Sequence, residues 1–202
     1  MVITVKMPPA RDKHAWRIEL LAQRSVMSAT DHASEARALA AAAEALGAAE
    51  WVCAYVPIDG EPGSTAMLDV LVAGGARVLL PITEEPGPLS WAEYTSAHDL
   101  RRARYGLREP IGPVLPPNAV GRAELILIPA LAVDRRGVRL GRGAGYYDRT
   151  LVAADRQARL VAVVRDEELV DRLPEQPHDI RMGWALTPHG GLRQLGRGQV
   201  LE

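Results

Sequence analysis

The sequence predicts an α/β fold, a single domain over residues 1–202 with a mostly parallel, Rossmann-like open sheet flanked by helices. Three observations carry that expectation. Short apolar runs near 51–56, 77–80, 124–128, 159–164 and 184–187 alternate with stretches of helical character, and strands separated by helices build parallel β-α-β units. The run that ends at Ile128 is continuously apolar, which suits a strand covered on both faces. With 202 residues, 48% hydrophobic and 24% charged, the chain has an ordinary globular composition and enough length to bury a sizeable core.

Taken in order, Met1–Met7 is expected to be a loose tail. Pro8-Pro9 suits a helix start, and the helical pattern continues to about Val26. Lys13 and Arg17 are i,i+4 neighbours in it, with Leu20 and Arg24 close to the same face; spacing alone makes this a solvated charged face. Residues 31–49 are alanine-rich and helical, with Gly47 as a stop. A buried strand over 51–56 leads into a loop over 57–63. A helix over 64–73, closed by Gly74-Gly75, leads to a strand over 77–80 stopped by Pro81. Residues 83–118 are proline-rich and irregular, and a loop of that length in a compact domain suggests a cover for a site. Trp91 and Tyr94 within it suit core anchors or the walls for a flat ring. Strand 124–128, helix 146–155, strand 159–164, helix 166–173 and strand 184–187 follow. Pro188, Gly190 and Gly191 should end the last strand, and 196–202 should fray.

Composition excludes several classes. A net charge of −1 gives no global attraction to nucleic acid or an acidic membrane, so any anion site must come from local clustering. The single Cys53 forms no internal disulfide, which suits a reducing cytoplasm. No apolar run reaches the length of a membrane span, and no secretory leader pattern is visible. A cytoplasmic monomer is expected, with neither nucleic acid nor membrane as a partner.

The functional signal lies at Arg139–Arg149, which reads RLGRGAGYYDR. Glycine at alternate positions 141, 143 and 145 lets the chain bend sharply and bring its amides close to a ligand. Successive amides turned one way form an anion nest, and a helix starting after Gly145 adds positive potential. Asp148 places a carboxylate beside such phosphates, where it suits Mg²⁺. Residue by residue this is a candidate nucleoside-triphosphate loop with its own metal ligand. Two commoner glycine loops are excluded. The Walker loop needs Gly-Lys-Ser/Thr. The dinucleotide fingerprint needs a third glycine where Tyr146 stands. Asp166 echoes the ribose-binding acid of that fingerprint by spacing, but Asp134-Arg135-Arg136-Gly137 interposes a turn before the loop. An unadorned glycine-rich turn is the competing structural reading, and the dense company of Arg, Tyr and Asp favours function.

The segment Leu125–Leu151, LILIPALAVDRRGVRLGRGAGYYDRTL, resembles the signature of the 5-formyltetrahydrofolate cyclo-ligase (methenyltetrahydrofolate synthetase) family: apolar strand, proline, acidic residue, glycine turn, then RLG-x-G-x-G-YYD. Val133 stands where phenylalanine is usual, and Ala144 where glycine or lysine is usual. Looser likenesses extend the match over most of the chain. Lys13-His14-Ala15-Trp16-Arg17 resembles a Lys-x-x-x-Arg element, Gly106-Leu107-Arg108-Glu109-Pro110 a Gly-hydrophobe-x-Glu-Pro element, and Pro174–Asp179 a proline-x-x-x-His-Asp segment.

The resemblance implies ATP- and Mg²⁺-dependent conversion of 5-formyltetrahydrofolate to 5,10-methenyltetrahydrofolate with release of ADP and phosphate, by phosphorylation of the formyl oxygen and ring closure by N10. It implies that Lys13, Arg17, Arg139, Leu140, Gly141, Arg142, Gly143, Ala144, Gly145, Tyr146 and Tyr147 hold ATP. Val56, Glu61 and residues 142–146 (Arg142, Gly143, Ala144, Gly145, Tyr146) would contact the folate, and Asp148 and Asp179 the Mg²⁺. Arg142 and Tyr147 are placed nearest the transferring phosphoryl group. His178 reads as a hydrogen-bonded packing residue. The alternative from another class is a nucleotide- or folate-binding regulatory module without turnover. An NAD(P)-dependent oxidoreductase is disfavoured by Tyr146.

Overall fold

The computed structural model describes residues 11–58, 60–83 and 87–196. The expectations for the tail at 1–7, for Pro8-Pro9 and for 197–202 fall outside those residues. Four helices are formed: α1 (Lys13–Ser25), α2 (Ala29–Ala43), α3 (Thr65–Ala73) and α4 (Tyr146–Thr150). The strands are β1 (Trp51–Cys53), β2 (Arg77–Ile82), β3 (Ser90–Tyr94), β4 (Leu100–Arg102), β5 (Arg108–Pro110), β6 (Leu125–Pro129), β7 (Ala132–Asp134), β8 (Arg139–Leu140), β9 (Arg159–Val163), β10 (Leu169–Val170), β11 (Trp184–Thr187) and β12 (Gly191–Gln194).

Seven strands form the main sheet in the order β12-β11-β9-β6-β1-β2-β3. Its five inner strands run parallel and its two edges, β12 and β3, antiparallel. The mostly parallel, helix-flanked α/β sheet expected from the sequence is therefore present. Alternation along each strand sorts the core. Val52, Val78, Leu80, Leu125, Leu127, Val161 and Val163 face α2 and α3 across Leu39, Ala43, Met67 and Leu68. Cys53, Leu79, Ile126, Ile128 and Ala162 face the other way, onto Trp91, Ala119, Val120 and Leu151. That second face is covered mainly by short 3₁₀ turns, 117–122 and 151–153, rather than by long helices.

A separate layer carries the glycine loop. Strands β10, β7 and β8 form a small sheet, and α1 packs on it through Leu20 against Leu131, Val138, Leu140 and Leu173. The Asp134–Gly137 turn joins β7 to β8 as expected. The wholly buried Asp134 carboxylate receives the amides of Arg136 (2.8 Å), Val138 (2.9 Å) and Leu173 (3.0 Å) and the Arg136 guanidinium (2.7 Å). Asp12 caps α1 by accepting from the Ala15 amide at 2.8 Å, and Ser28 and Ser64 cap α2 and α3.

Several sequence expectations are corrected. Residues 83–118 contain β3 and the β4–β5 hairpin, elements that flanking prolines concealed. Of the two readings of Trp91 and Tyr94, that of core anchors holds, with 0% and 2% exposed. The strand pairing expected over 51–56 is confined to 51–53, although Ala54–Val56 remain buried. The helix expected at 31–49 runs from Ala29 to Ala43 and ends in a 3₁₀ turn before Gly47. The helix expected at 146–155 lasts five residues and passes into a 3₁₀ turn. The helix expected at 166–173 is a 3₁₀ turn followed by β10, because this segment pairs with β7. Gly190 and Gly191 turn the chain into β12 instead of ending the sheet. Gly196 donates to the Arg135 carbonyl at 2.8 Å instead of fraying.

Asp166, the echo of a ribose-binding acid, ties down the β11–β12 turn. It accepts from Thr187 Oγ1 (2.6 Å), His189 Nδ1 (2.9 Å) and the Gly190 amide (2.8 Å). Burial alone would raise its carboxyl, but the donors of Thr187, His189 and Gly190 outweigh burial and lower it from 3.8 to about 2. A depressed folded value means stability that is present above pH 3.8 and lost as pH falls toward 2. Asp166→Asn should therefore lower stability at neutral pH by no more than about 1 kcal/mol, since water reaches part of the carboxylate. Chemical denaturation at a series of pH values should show that deficit closing toward pH 2.

Candidate active site

The topology creates the site. β1 leads to β2 on one side of it, while β6 lies on its other side, so a switch point falls between β1 and β6. In open α/β sheets ligands gather outside the carboxyl ends of the strands at such a point. Here a cavity of about 600 Å³ is lined by Tyr55 and Val56 after β1, Thr83 after β2, and Pro129–Leu131 after β6. The small sheet adds the whole of Arg139–Asp148, and α1 adds Lys13 and Arg17.

Glycine makes the loop's approach possible. Gly143 and Gly145 have φ of +104° and +71°, a region L side chains rarely adopt. A Cβ on Gly143 would lie 3.4 Å from the Arg17 guanidinium carbon, so Arg17 sits directly against the loop. Arg17 Nε also donates to the Gly141 carbonyl at 3.0 Å. The amides of Gly141, Gly143, Ala144 and Gly145 donate to no group of the described residues. α4 is too short to add more than one turn of dipole to these donors.

Three cation–carboxylate pairs span the cavity. Lys13 Nζ donates to both oxygens of Asp179 (2.7 and 2.6 Å), Arg139 Nη2 to Asp148 Oδ1 (2.8 Å) and Arg142 Nε to Glu61 Oε1 (3.1 Å). Lys13, Arg17, Arg108, Arg139 and Arg142 face three carboxylates in the lining. A chain of net charge −1 thus holds a locally positive cavity. Burial pushes Glu61 above the ordinary carboxylate range, and Arg142 only partly offsets it. The Tyr147 hydroxyl is buried with no hydrogen-bond partner among the described residues, and burial raises it far above its ordinary value. It therefore remains protonated, a donor in want of an acceptor.

Comparison with known proteins fits this geometry. Residues 9–188 match the model of the 5-formyltetrahydrofolate cyclo-ligase family. A 5-formyltetrahydrofolate cyclo-ligase of Mycolicibacterium smegmatis is 48% identical over 191 residues, covering 92% of this chain and 98% of the relative. The chain belongs to the 5-formyltetrahydrofolate cyclo-ligase family. As a member it is an enzyme, a ligase of folate one-carbon metabolism. The Escherichia coli relative of the same description is 32% identical over 146 residues, 69% of this chain and 79% of that one. The solved 5,10-methenyltetrahydrofolate synthetase of Aquifex aeolicus superposes with a TM-score of 0.73 at 27% identity, over 94% of this chain and 96% of that one. The Mycoplasma pneumoniae synthetase shares the fold at 20% identity, TM-score 0.68, over 86% and 97%.

Every residue that the sequence singled out for nucleotide, folate or metal lines this cavity. Three assignments change. Trp91 and Tyr94 do not line the cavity and so wall no ring. His178 is exposed on the cavity lining and is not a packing residue. Arg24, grouped by spacing with Lys13 and Arg17, is buried and binds Glu168 through two bonds of 2.7 Å. Sequence reasoning missed Tyr55, Thr83, Leu89, Arg108 and Gln176 in the lining. Strand-end position gives a signal for Tyr55 and Thr83; nothing local marks the others.

Mg²⁺ is implied by the family, and the donor set fits it in a limited way. Among the described residues no three His, Cys, Asp or Glu side chains converge as a cage. Mg²⁺ carried by a nucleotide needs only one or two carboxylates, keeping its waters and phosphate oxygens. Asp148 uses one oxygen on Arg139, and its other oxygen has no hydrogen-bond partner among the described residues. Both oxygens of Asp179 are engaged, by Lys13 and by the Gln176 amide.

The electrostatics predict a stability consequence. Because Glu61 is raised, the folded protein holds its proton more tightly than the unfolded chain. Its contribution is complete below the unfolded value of 4.5 and lost as pH rises through the raised folded value. Glu61→Gln keeps the shape and cannot ionise. Thermal denaturation should show the variant gaining on the parent protein as pH rises above 4.5 and through the raised folded value, and a gain independent of pH would contradict this account.

Proposed function

We propose that this chain converts 5-formyltetrahydrofolate and ATP to 5,10-methenyltetrahydrofolate, ADP and phosphate. The observation that carries the reading is the convergence of the glycine loop, the α1 cations and Glu61 on one cavity at the sheet's switch point. An N-formyl group is an amide, and its oxygen is a poor leaving group. Transfer of the γ-phosphoryl group forms an O–P bond at the formyl oxygen and breaks the bond to ADP. N10 then attacks the formyl carbon and loses its proton, and the oxygen departs as phosphate.

Phosphoryl transfer chiefly needs positioning and charge stabilisation. Lys13, Arg17, Arg139 and Arg142 supply charge, and the amides of Gly141, Gly143, Ala144 and Gly145 supply donors. Arg142, tied to Glu61, sits between the phosphate half and the folate half of the cavity. Glu61 accepts from folate N–H groups near the reacting end, beside Val56. Tyr147, held protonated, donates toward the oxygen that gains charge. Asp148 and Asp179 would hold Mg²⁺ directly or through water, and the ion would neutralise phosphate charge. Phosphate oxygens would compete for Lys13 and Arg139, which would leave the carboxylates of Asp179 and Asp148 available as ligands.

Purified protein given both substrates with Mg²⁺ should form a product that absorbs at longer wavelength, since a conjugated amidinium replaces the formyl group. ADP should appear in equal amount. Arg142→Ala should cut kcat more than it weakens binding, because its contact strengthens as charge develops. Binding of both ligands with neither ADP nor a spectral change would instead support the regulatory-module reading.

The metal assignment has its own check. Asp148→Asn should leave the fold intact and raise the Mg²⁺ concentration needed for half-maximal rate, and Asp179→Asn should do the same. Unaltered Mg²⁺ titrations in both variants would remove these residues from the metal site.

A further inference from the structure

Glu61 projects from a loop, yet both peptide planes around its Cα are pinned. The Gly60 carbonyl, on the preceding plane, accepts from Arg165 Nη2 at 3.0 Å. The amide of that same plane, Glu61 N, donates to the Ile58 carbonyl at 2.8 Å. The Glu61 carbonyl, on the following plane, lies 3.0 Å from His32 Nε2, which must donate because a carbonyl only accepts. With both planes fixed, the Cα–Cβ direction is fixed, and the carboxylate is delivered to the Ile58 amide (3.2 Å) and to Arg142 (3.1 Å).

Of the two side chains that do the pinning, His32 is half-buried on α2 and Arg165 is itself locked by other groups. Arg165 is 1% exposed. Its Nε lies 2.9 Å from both oxygens of Glu35, and its amide donates to Glu168 at 2.8 Å. His32 and Glu35 are three residues apart on α2, so one face of that helix meets both the loop and Arg165. None of these three side chains lines the cavity. They reach the reaction only through the backbone of residues 60–61.

We propose that His32 and Arg165 are positioning residues of the folate site, which aim the Glu61 carboxylate by holding the consecutive carbonyls of Gly60 and Glu61. This rests on the reading of Glu61 as a folate contact. Loss of either side chain frees a peptide plane and spreads the carboxylate over several directions. That weakens the folate half of the site and leaves the nucleotide half, built on α1 and the glycine loop, as it was.

The test is steady-state kinetics with 5-formyltetrahydrofolate and ATP varied separately, beside a thermal melt of each variant. His32→Ala removes one neutral hydrogen bond from a half-buried helix face, so the protein should fold. Its KM for the folate should rise roughly three- to tenfold, the worth of one such bond, while KM for ATP stays put. His32→Gln, which keeps a donor near Nε2, should restore the folate KM. Arg165→Lys keeps the charge beside Glu35 but loses the fork that reaches Gly60, and should give the same selective loss. If Arg165→Lys does not fold, the His32 variants decide alone. In a Glu61→Gln background His32→Ala should add nothing, because it acts through that carboxylate. Equal changes in both KM values, no change in the folate KM, or additivity in the double variant would overturn the proposal while Glu61→Gln alone still impairs folate use. If Glu61→Gln leaves the folate KM untouched, the folate reading of Glu61 fails, and the proposal falls with it.

Discussion

One buried carboxylate, Glu168, ties the parts of this site to one another. It is 2% exposed and shared by two buried guanidiniums, Arg24 from the last turn of α1 and Arg165 from the end of β9. Arg24 also donates to the Ala130 carbonyl at 2.6 Å and Arg165 to the Gly60 carbonyl. A single charge cluster thus fastens α1, the segment after β6 and the loop after β1, which are three walls of the cavity. Breaking a buried pair of this kind typically costs about 3–5 kcal/mol, because the orphaned charge stays buried. Glu35 completes the cluster, so two carboxylates balance two guanidiniums. Arg24 Nη1 remains buried without a partner, a cost carried inside an otherwise well-satisfied network.

The cavity follows a different electrostatic rule from the cluster beneath it. In the cluster Arg24, Arg165 and Glu168 are almost wholly buried, and only Glu35 keeps a small exposed fraction. In the cavity the pairs Lys13–Asp179, Arg139–Asp148 and Arg142–Glu61 each keep part of one partner exposed to solvent. Such pairs are worth less and exchange more readily. Self-pairing of three of the five cations reduces their mutual repulsion, and a polyanionic ligand could take over those cations at modest cost. Rigid charge underneath and exchangeable charge above suit the proposed function, in which the site takes a triphosphate and holds a second substrate in register.

How much of this was legible in the sequence follows the range of the interactions. The glycine loop was legible as a cavity wall because its glycines, arginines, tyrosines and acid are contiguous from Arg139 to Asp148. The inner strands were legible because burial on both faces writes an unbroken apolar run, as in Leu125–Ile128. Asp179 and Glu61 became legible only through family resemblance, since a loop acid alone carries no signal. The Arg24–Glu168 and Arg165–Glu35 pairs were not legible at all. Their partners lie 144 and 130 residues apart, and locally Arg24 looks like one more surface cation. Strands β3 and β12 were concealed for another reason. Each is an antiparallel edge beside prolines or glycines, and those residues mark a turn equally well whether the chain returns to the sheet or leaves it.

The placement of the glycine loop also explains why this Rossmann-like sheet does not carry a dinucleotide fingerprint. In a dinucleotide fold the first strand of the main sheet runs straight into the glycine turn and its helix. Here β1 runs instead into Tyr55, Val56 and the Glu61 loop, which the proposed function assigns to the folate side. The glycine loop comes from β8, a strand of the small side sheet, after the turn pinned by Asp134. Two different anchors therefore set the two halves of the cavity: the switch point of the main sheet for one, and the small sheet with α1 for the other. Tyr146 need not be glycine, because no helix has to pack closely on the main sheet at that point. The residue after Gly145 is free to carry a ring, and Tyr146 and Tyr147 use that freedom to line the space between the halves.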